Sequence, residues 1–288
     1  MFLFAHCSSL SVHANKSGTE INRSSGLIIE GMGGRAILVT GAGRGLGYAL
    51  ISELLREESE SFACIIACVK NMPDESAFRD RICSGLPMHR TACLRTEVLD
   101  VASSESVAEL ATRLESLMSR GLQLDTIVNN AAIFTDRNVP LTHASVDGAL
   151  HTFNVNALGC MRVCAELLPL LLISSISPLI VNISGIMGSI ERAIEFPTKA
   201  LNYGYRMSKS AVNMFTRCLS IEYGGRVIVV SLHPGWMRTQ MGGESAPFAA
   251  SFAAERIVAH LTGPAGSGIR TQAINGAFVD SELNPIPF

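Results

Sequence analysis

The sequence predicts an α/β fold with a single doubly wound domain, a seven-stranded parallel sheet flanked by helices, on three observations. From residue 35 onward, short β-rich apolar runs alternate with longer segments of helical period, the pattern of βαβ units. A glycine-rich turn follows the first of those runs and opens a helical segment. The composition, 48% hydrophobic against 17% charged over 288 residues, supplies apolar surface for a large core.

The elements follow in order. Residues 1–31 are rich in Ser, Gly and Asn without sustained periodicity, and the opening stretch lacks the basic n-region of a secretory signal, so they are expected to be a disordered extension ahead of Met32. Residues 32–288 read as one domain, with no internal repeat and no linker. The strands expected are 36–40, 63–69, 92–99, 126–129, 179–183, 227–232 and 276–279. Helices are expected near 46–58, 75–83, 104–119, 144–173, 204–222 and 251–261, with Ser103 as the N-cap of the third. Crossovers of this length are right-handed and cover both faces of the sheet.

Charge and cysteine usage narrow the function classes. Lys and Arg total 23 against 25 for Asp and Glu, so no basic stripe points to nucleic acid or an anionic membrane. The longest apolar run, 167–173, is interrupted by Pro169 and falls short of the roughly 18 residues that span a bilayer, so no membrane helix is expected. Eight cysteines (7, 64, 68, 83, 93, 160, 164 and 218) form no CxxC pair and have no His at zinc spacing, which predicts reduced thiols, a cytoplasmic setting and no metal.

After the first strand stands Thr40-Gly41-Ala42-Gly43-Arg44-Gly45-Leu46-Gly47. Glycines there permit a tight turn and let backbone N–H groups approach a pyrophosphate at a helix N-terminus. In a chain this glycine-rich the spacing alone arises by chance about 0.2 times, so the strand-to-helix context carries the inference. An NAD site offers a carboxylate after the second strand, whereas this chain has Lys70. Lys70 and Arg44 together would clamp a 2′-phosphate, which favours NADP(H). Asp100 and Val101, after the third strand, are candidates for adenine contacts, and Asn130 and Ala131, after the fourth, for the adenosine half; each also reads as ordinary strand-end turn chemistry.

Tyr205 and Lys209 lie four apart at the start of a predicted helix, hence on one face. A phenol with a pKa near ~10 is a poor acid at neutral pH, and a nearby ammonium lowers it, so Tyr205 is the expected proton donor.

The glycine loop, Asn129-Asn130-Ala131, Tyr205-Arg206-Met207-Ser208-Lys209 and Pro234-Gly235 together resemble a classical short-chain dehydrogenase/reductase over residues 35–288. The stretch from Val230 to Pro247 and the Asn275-Gly276-Ala277-Phe278 ending are similar to the C-factor and sniffer-like carbonyl reductases. The resemblance implies a Rossmann fold, NADP(H) and a small-molecule carbonyl substrate. It also implies that Lys209 holds the nicotinamide ribose and that Asn156 supports a water linking Lys209 to solvent. By the same likeness Pro234 and Gly235 flank the nicotinamide, and Thr239 sits near its carboxamide or the phosphates. Family members include monomers and homo-oligomers, so oligomeric state stays open.

One position departs from that pattern. The fifth strand runs into Asn182-Ile183-Ser184-Gly185, which puts Gly185 where the family's catalytic serine stands and Ser184 one residue early. Successive strand side chains face opposite ways, so Ser184 should point away from Tyr205 unless the strand end is twisted; it is the first substitute by proximity, with Ser189 or a water behind it. Two readings follow: an NADPH-dependent reductase of a ketone, aldehyde or quinone, or an NADP(H)-binding protein with little turnover. NAD-linked alcohol oxidation is a weaker third, opposed by Lys70. Apolar residues in the segments 186–204 and 236–248 (Ile190, Ile194, Phe196, Trp236, Met237, Met241) are expected to line the substrate side.

Overall fold

A computed structural model describes residues 34–57, 61–72, 74–173, 178–195 and 201–288. The expected N-terminal extension, Cys7 and Phe196 lie outside the described residues.

The elements run β1 (Gly34–Thr40), α1 (Gly45–Arg56), β2 (Cys64–Val69), α2 (Glu75–Cys83), α3 (Met88–Ala92), β3 (Leu94–Val98), α4 (Ser104–Met118) and β4 (Leu122–Asn129). Then follow α5 (Val146–Phe153), a π-turn (Asn154–Leu158), α6 (Gly159–Leu172), β5 (Leu179–Ile183), α7 (Tyr203–Glu222) and β6 (Ile228–His233). Last come β7 (Met237–Arg238), β8 (Phe248–Ala249), α8 (Ala250–Thr262) and β9 (Phe278–Asp280). Seven strands form one parallel sheet in the order β3-β2-β1-β4-β5-β6-β9, while β7 and β8 pair separately.

The sheet is doubly wound because its strands are apolar on both faces. In β1, Ile37 and Val39 join the core beneath α1 and α8, whereas Ala36 and Leu38 join the core beneath α4 and α6. Chain order reverses between β1 and β4, and at such a switch point the carboxyl ends of the strands open a crevice. The C-terminal ends of β1, β4, β5 and β6 carry the glycine loop, Asn130-Ala131, Ser184-Gly185 and Pro234-Gly235.

Most expected elements occur within a few residues of their predicted bounds, and β5 coincides with its prediction. Ser103 caps α4, accepting from the Ser106 N–H at 3.1 Å. β4 begins four residues earlier than expected because Leu122, Gln123 and Leu124 pair with Gly34, Arg35 and Ala36. The helix expected over 144–173 is interrupted by the π-turn at 154–158. The whole stretch Val146–Leu172 is long and apolar enough to cross a membrane by length and composition, yet 61% of its apolar window is buried in the fold.

Candidate active site

The glycine loop has the conformation its sequence requires. Gly41 and Gly45 have φ of +67° and +57°, a region side-chain-bearing residues seldom enter. A Cβ at Gly47 would stand 2.3 Å from the Gly41 carbonyl oxygen, and one at Gly41 2.8 Å from the Ala131 Cα. Helix α1 begins at Gly45 with no side-chain cap, which leaves the N–H groups of its first turn open toward the crevice. Leu46 and Gly47 of that turn are buried.

Around this loop, several residues expected at the cofactor already have partners within the protein. Asn130 and Ala131 brace it. The Asn130 side chain donates to the carbonyls of Thr40 (2.9 Å) and Gly41 (3.2 Å), and both N–H groups donate to the Thr40 hydroxyl. Lys70 and Asp100 meet each other in an ion pair at 2.8 Å, while Arg44 reaches Gln240, so the two cations do not converge. Val101 is buried against Gly159 of α6, where an added Cβ would lie 2.9 Å from it. The Thr239 methyl lies 3.6 Å from the Cβ position of Gly45, which places Thr239 beside the loop. Gly43 lies over Val69 at the end of β2. At the end of β6, Pro234 is buried and Gly235 turns with φ +89°.

The Tyr205–Lys209 helix is positioned by polar bonds. Asn202, just before α7, is left-handed (φ +72°), and its side-chain oxygen accepts from the Asn138 N–H. The buried Asp136 carboxylate caps α7 instead, accepting from the N–H groups of Gly204 (2.7 Å) and Tyr205 (3.3 Å). A carboxylate at this end is favoured by the helix dipole. Asp136 escaped the sequence reading because it lies 68 residues from its partner.

On the inner face of α7, Lys209 donates from Nζ to the Ile183 carbonyl at 2.7 Å. One turn on, Asn213 accepts from the Ser184 hydroxyl (2.7 Å) and donates to the Gly188 carbonyl (3.2 Å). Thr216 accepts from Asn182 (2.9 Å) and Ser231 (2.8 Å). Asn156, in the π-turn, bonds Ile133 through its side-chain oxygen (2.8 Å) and its amide (2.9 Å), and also donates to Ser208 (3.0 Å). Those bonds use both amide hydrogens, so the side chain acts as a direct tie between the segment after β4 and α7.

These contacts decide the question at the end of β5. Ser184 is buried with its hydroxyl on Asn213, so it is turned away from Tyr205 as strand alternation requires, and its expected catalytic place is corrected. Ser189 is spent on the Pro287 carbonyl. Gly185 faces the phenol: a Cβ built on it would lie 3.5 Å from the Tyr205 hydroxyl. Its φ of −167° is extended backbone that any residue adopts.

The electrostatics also differ from expectation. Burial pushes the Tyr205 phenol up to about 12, and the cation opposing that rise is Arg137. Lys209 lies 5.7 Å from the Tyr205 ring centroid, and burial brings its own ammonium down to about 8. Phe134 stacks on Tyr205 with centroids 4.4 Å apart and 23° between planes. Of the expected substrate-side residues, Met237 packs against the core beneath α1, while Ile190 lines a separate cavity of about 540 Å³ under the C-terminal residues. No cluster of three or more metal-ligating side chains occurs among the described residues.

The family model for short chain dehydrogenases matches residues 35–250. Retinol dehydrogenase 14 of Mus musculus is 32% identical over 222 residues, 73% of this chain; the match spans under two thirds of that relative, 64%. The carbonyl reductase Sniffer of D. melanogaster superposes with a TM-score of 0.75 at 27% identity, covering 88% of this chain and 99% of that one. A short-chain dehydrogenase/reductase from Burkholderia multivorans with bound NADP gives 0.65 at 26% identity, covering 88% and 99%. The chain belongs to the short-chain dehydrogenase/reductase family of oxidoreductases, beside the carbonyl reductases.

Proposed function

We propose that the protein is an NADP(H)-dependent oxidoreductase that reduces a carbonyl compound, with Tyr205 as proton donor. The observation that carries this reading is the face shared by Tyr205, Lys209 and Gly185 at the carboxyl end of the sheet, with the phenol 3.5 Å from the side-chain position Gly185 leaves empty.

The glycine loop fits a dinucleotide. Its close approaches exclude side chains at Gly41 and Gly47, and the uncapped first turn of α1 offers N–H groups to phosphate oxygens. Arg44 and Lys70, flanking it, would take a 2′-phosphate, Lys70 by exchanging its exposed partnership with Asp100. The relative from Burkholderia multivorans with bound NADP supports the same choice. Pro234, Gly235 and Thr239 would border the nicotinamide end. Bound there, the reduced nicotinamide supplies a hydride.

The chain's own residues supply the proton and the geometry. With its pKa raised to about 12, Tyr205 holds its proton throughout the neutral range, the state required of an acid that protonates a carbonyl oxygen. Lys209, fixed by the Ile183 carbonyl, would bind the nicotinamide ribose. Asn156, through Ser208, keeps α7 against the segment after β4.

Gly185 favours a second reading, an NADP(H)-binding protein with little turnover. A missing oxyanion donor costs on the order of 100-fold in rate. Both readings are tested by NADPH consumption with quinones, diketones and aldehydes, comparing wild type with Tyr205→Phe and Gly185→Ser. The reductase reading expects turnover that Tyr205→Phe removes. Gly185→Ser fits the open, unstrained site and should raise that turnover about tenfold or more. Tight NADPH binding with turnover only in Gly185→Ser would establish the second reading, and failure to bind NADPH would overturn both.

A further inference from the structure

One cation stands beside the reaction centre without an acidic partner. Arg137 is exposed, and its guanidinium carbon lies 4.8 Å from the centroid of the Phe134 ring. Phe134 in turn stacks on Tyr205 at 4.4 Å, so the guanidinium is one aromatic layer from the phenol. Its charge acts on the Tyr205 hydroxyl. Of its five N–H donors, one is given to the Met241 carbonyl in the segment after β7.

Among the described residues no carboxylate lies within ion-pair distance of Arg137, a property it shares with Arg44 and Arg238, and its place one ring from Tyr205 sets it apart. The nearest carboxylate in sequence, Asp136, is turned inward and occupied by the N–H groups of Gly204 and Tyr205. A planar fork of donors held on an aromatic ring, with its sequence neighbour diverted, matches the oxygen pair of a carboxylate.

We infer that Arg137 sets the specificity of this site and that the carbonyl substrate it selects carries a carboxylate, bound by the guanidinium while the carbonyl meets Tyr205. The carbonyl half of this statement rests on the proposed reductase activity; the anion half rests on the placement of Arg137. Exposure to solvent screens the contact, so the preference should be moderate and should weaken as salt is raised.

The probes are 4-carboxybenzaldehyde and its methyl ester, which share ring and aldehyde and differ by one charge, tested on the full chain with NADPH. The acid should show kcat/KM about tenfold above the ester, carried by KM. Arg137→Gln should erase that ratio by raising KM for the acid alone, any change in kcat through Tyr205 being common to acid and ester, and Arg137→Lys should restore part of it. A parallel calorimetric titration uses the alcohols, 4-(hydroxymethyl)benzoate and its methyl ester, with and without NADP⁺, and needs no turnover. Tighter binding of the benzoate that Arg137→Gln abolishes supports the assignment. Equal binding of the two, no binding of the benzoate, or a loss in Arg137→Gln shared by acid and ester would overturn it; the shared loss would mean that Arg137 only tethers Met241. Absence of turnover with both aldehydes, while the benzoate still binds through Arg137, would overturn the reductase reading and leave the anion site standing.

Discussion

Helices α1 and α7 both begin at the carboxyl end of the sheet, and they are held there by different forces. The buried face of α1 is Leu46, Leu50, Ile51, Leu54 and Leu55, with Gly47 and Ser52, in one apolar core with Ile257, Val258 and Leu261 of α8. The buried face of α7 includes Ser208, Lys209, Asn213, Thr216 and Ser220. Its partners on the sheet are Asn182, Ser231 and the carbonyl of Ile183. Apolar burial is strong and non-directional, so α1 can leave its first turn uncapped for a phosphate. Hydrogen bonds are weaker in net terms but directional, and α7 uses them to fix a phenol and an ammonium.

That contrast predicts which substitutions separate stability from chemistry. The largest loss of stability should come from Leu50→Ala, which opens a cavity in a fully buried position and costs about 3 kcal/mol. Denaturant titration should register it, while kcat per folded molecule stays near wild type. Thr216→Val conserves shape but strands the amide of Asn182 and the hydroxyl of Ser231, a cost of about 2 kcal/mol. Here kcat should fall severalfold with NADPH affinity retained, because Thr216 lies two turns from Lys209 on the same face and far from the glycine loop. If both variants lost only stability, α7 would be held as α1 is, and the polar seam would carry no positional role.

The two helices also differ in how well the sequence announced them. A Gly-rich turn between an apolar strand and an apolar-periodic helix is a local pattern, and α1 was legible from it; so were β5, the Ser103 cap and the opposite facing of Ser184 and Gly185. The start of α7 and its Tyr205–Lys209 spacing were equally local. What positions them was not. Asp136 caps α7 across 68 residues, Asn182 meets Thr216 across 34, and the π-turn at Asn156 depends on bonds to Ile133, 23 residues away. Periodicity records which side of an element is buried and is silent on which polar group will be found there. The same limit hid the pairing of Lys70 with Asp100, which a 2′-phosphate would have to displace. Lys209 was expected to lower the phenol, whereas burial raises it and the cation that opposes the rise is Arg137.

The last effect expected, no larger, is a pH dependence confined to the α7 seam. Burial brings Lys209 down to about 8 from an unperturbed 10.5. Between those values the unfolded chain keeps the proton that the folded chain has released, so stability rises with pH across that window. Below about 8 both states are protonated and the full cost of burying the ammonium is present. Subtracting the stability of Lys209→Met from that of wild type isolates this contribution, and the difference should grow in favour of wild type by about 2 kcal/mol between pH 8 and 9.5. A flat difference would mean that the bond to the Ile183 carbonyl compensates the buried charge. α7 would then match α1 in being indifferent to pH across this range, since no residue on the buried face of α1 titrates.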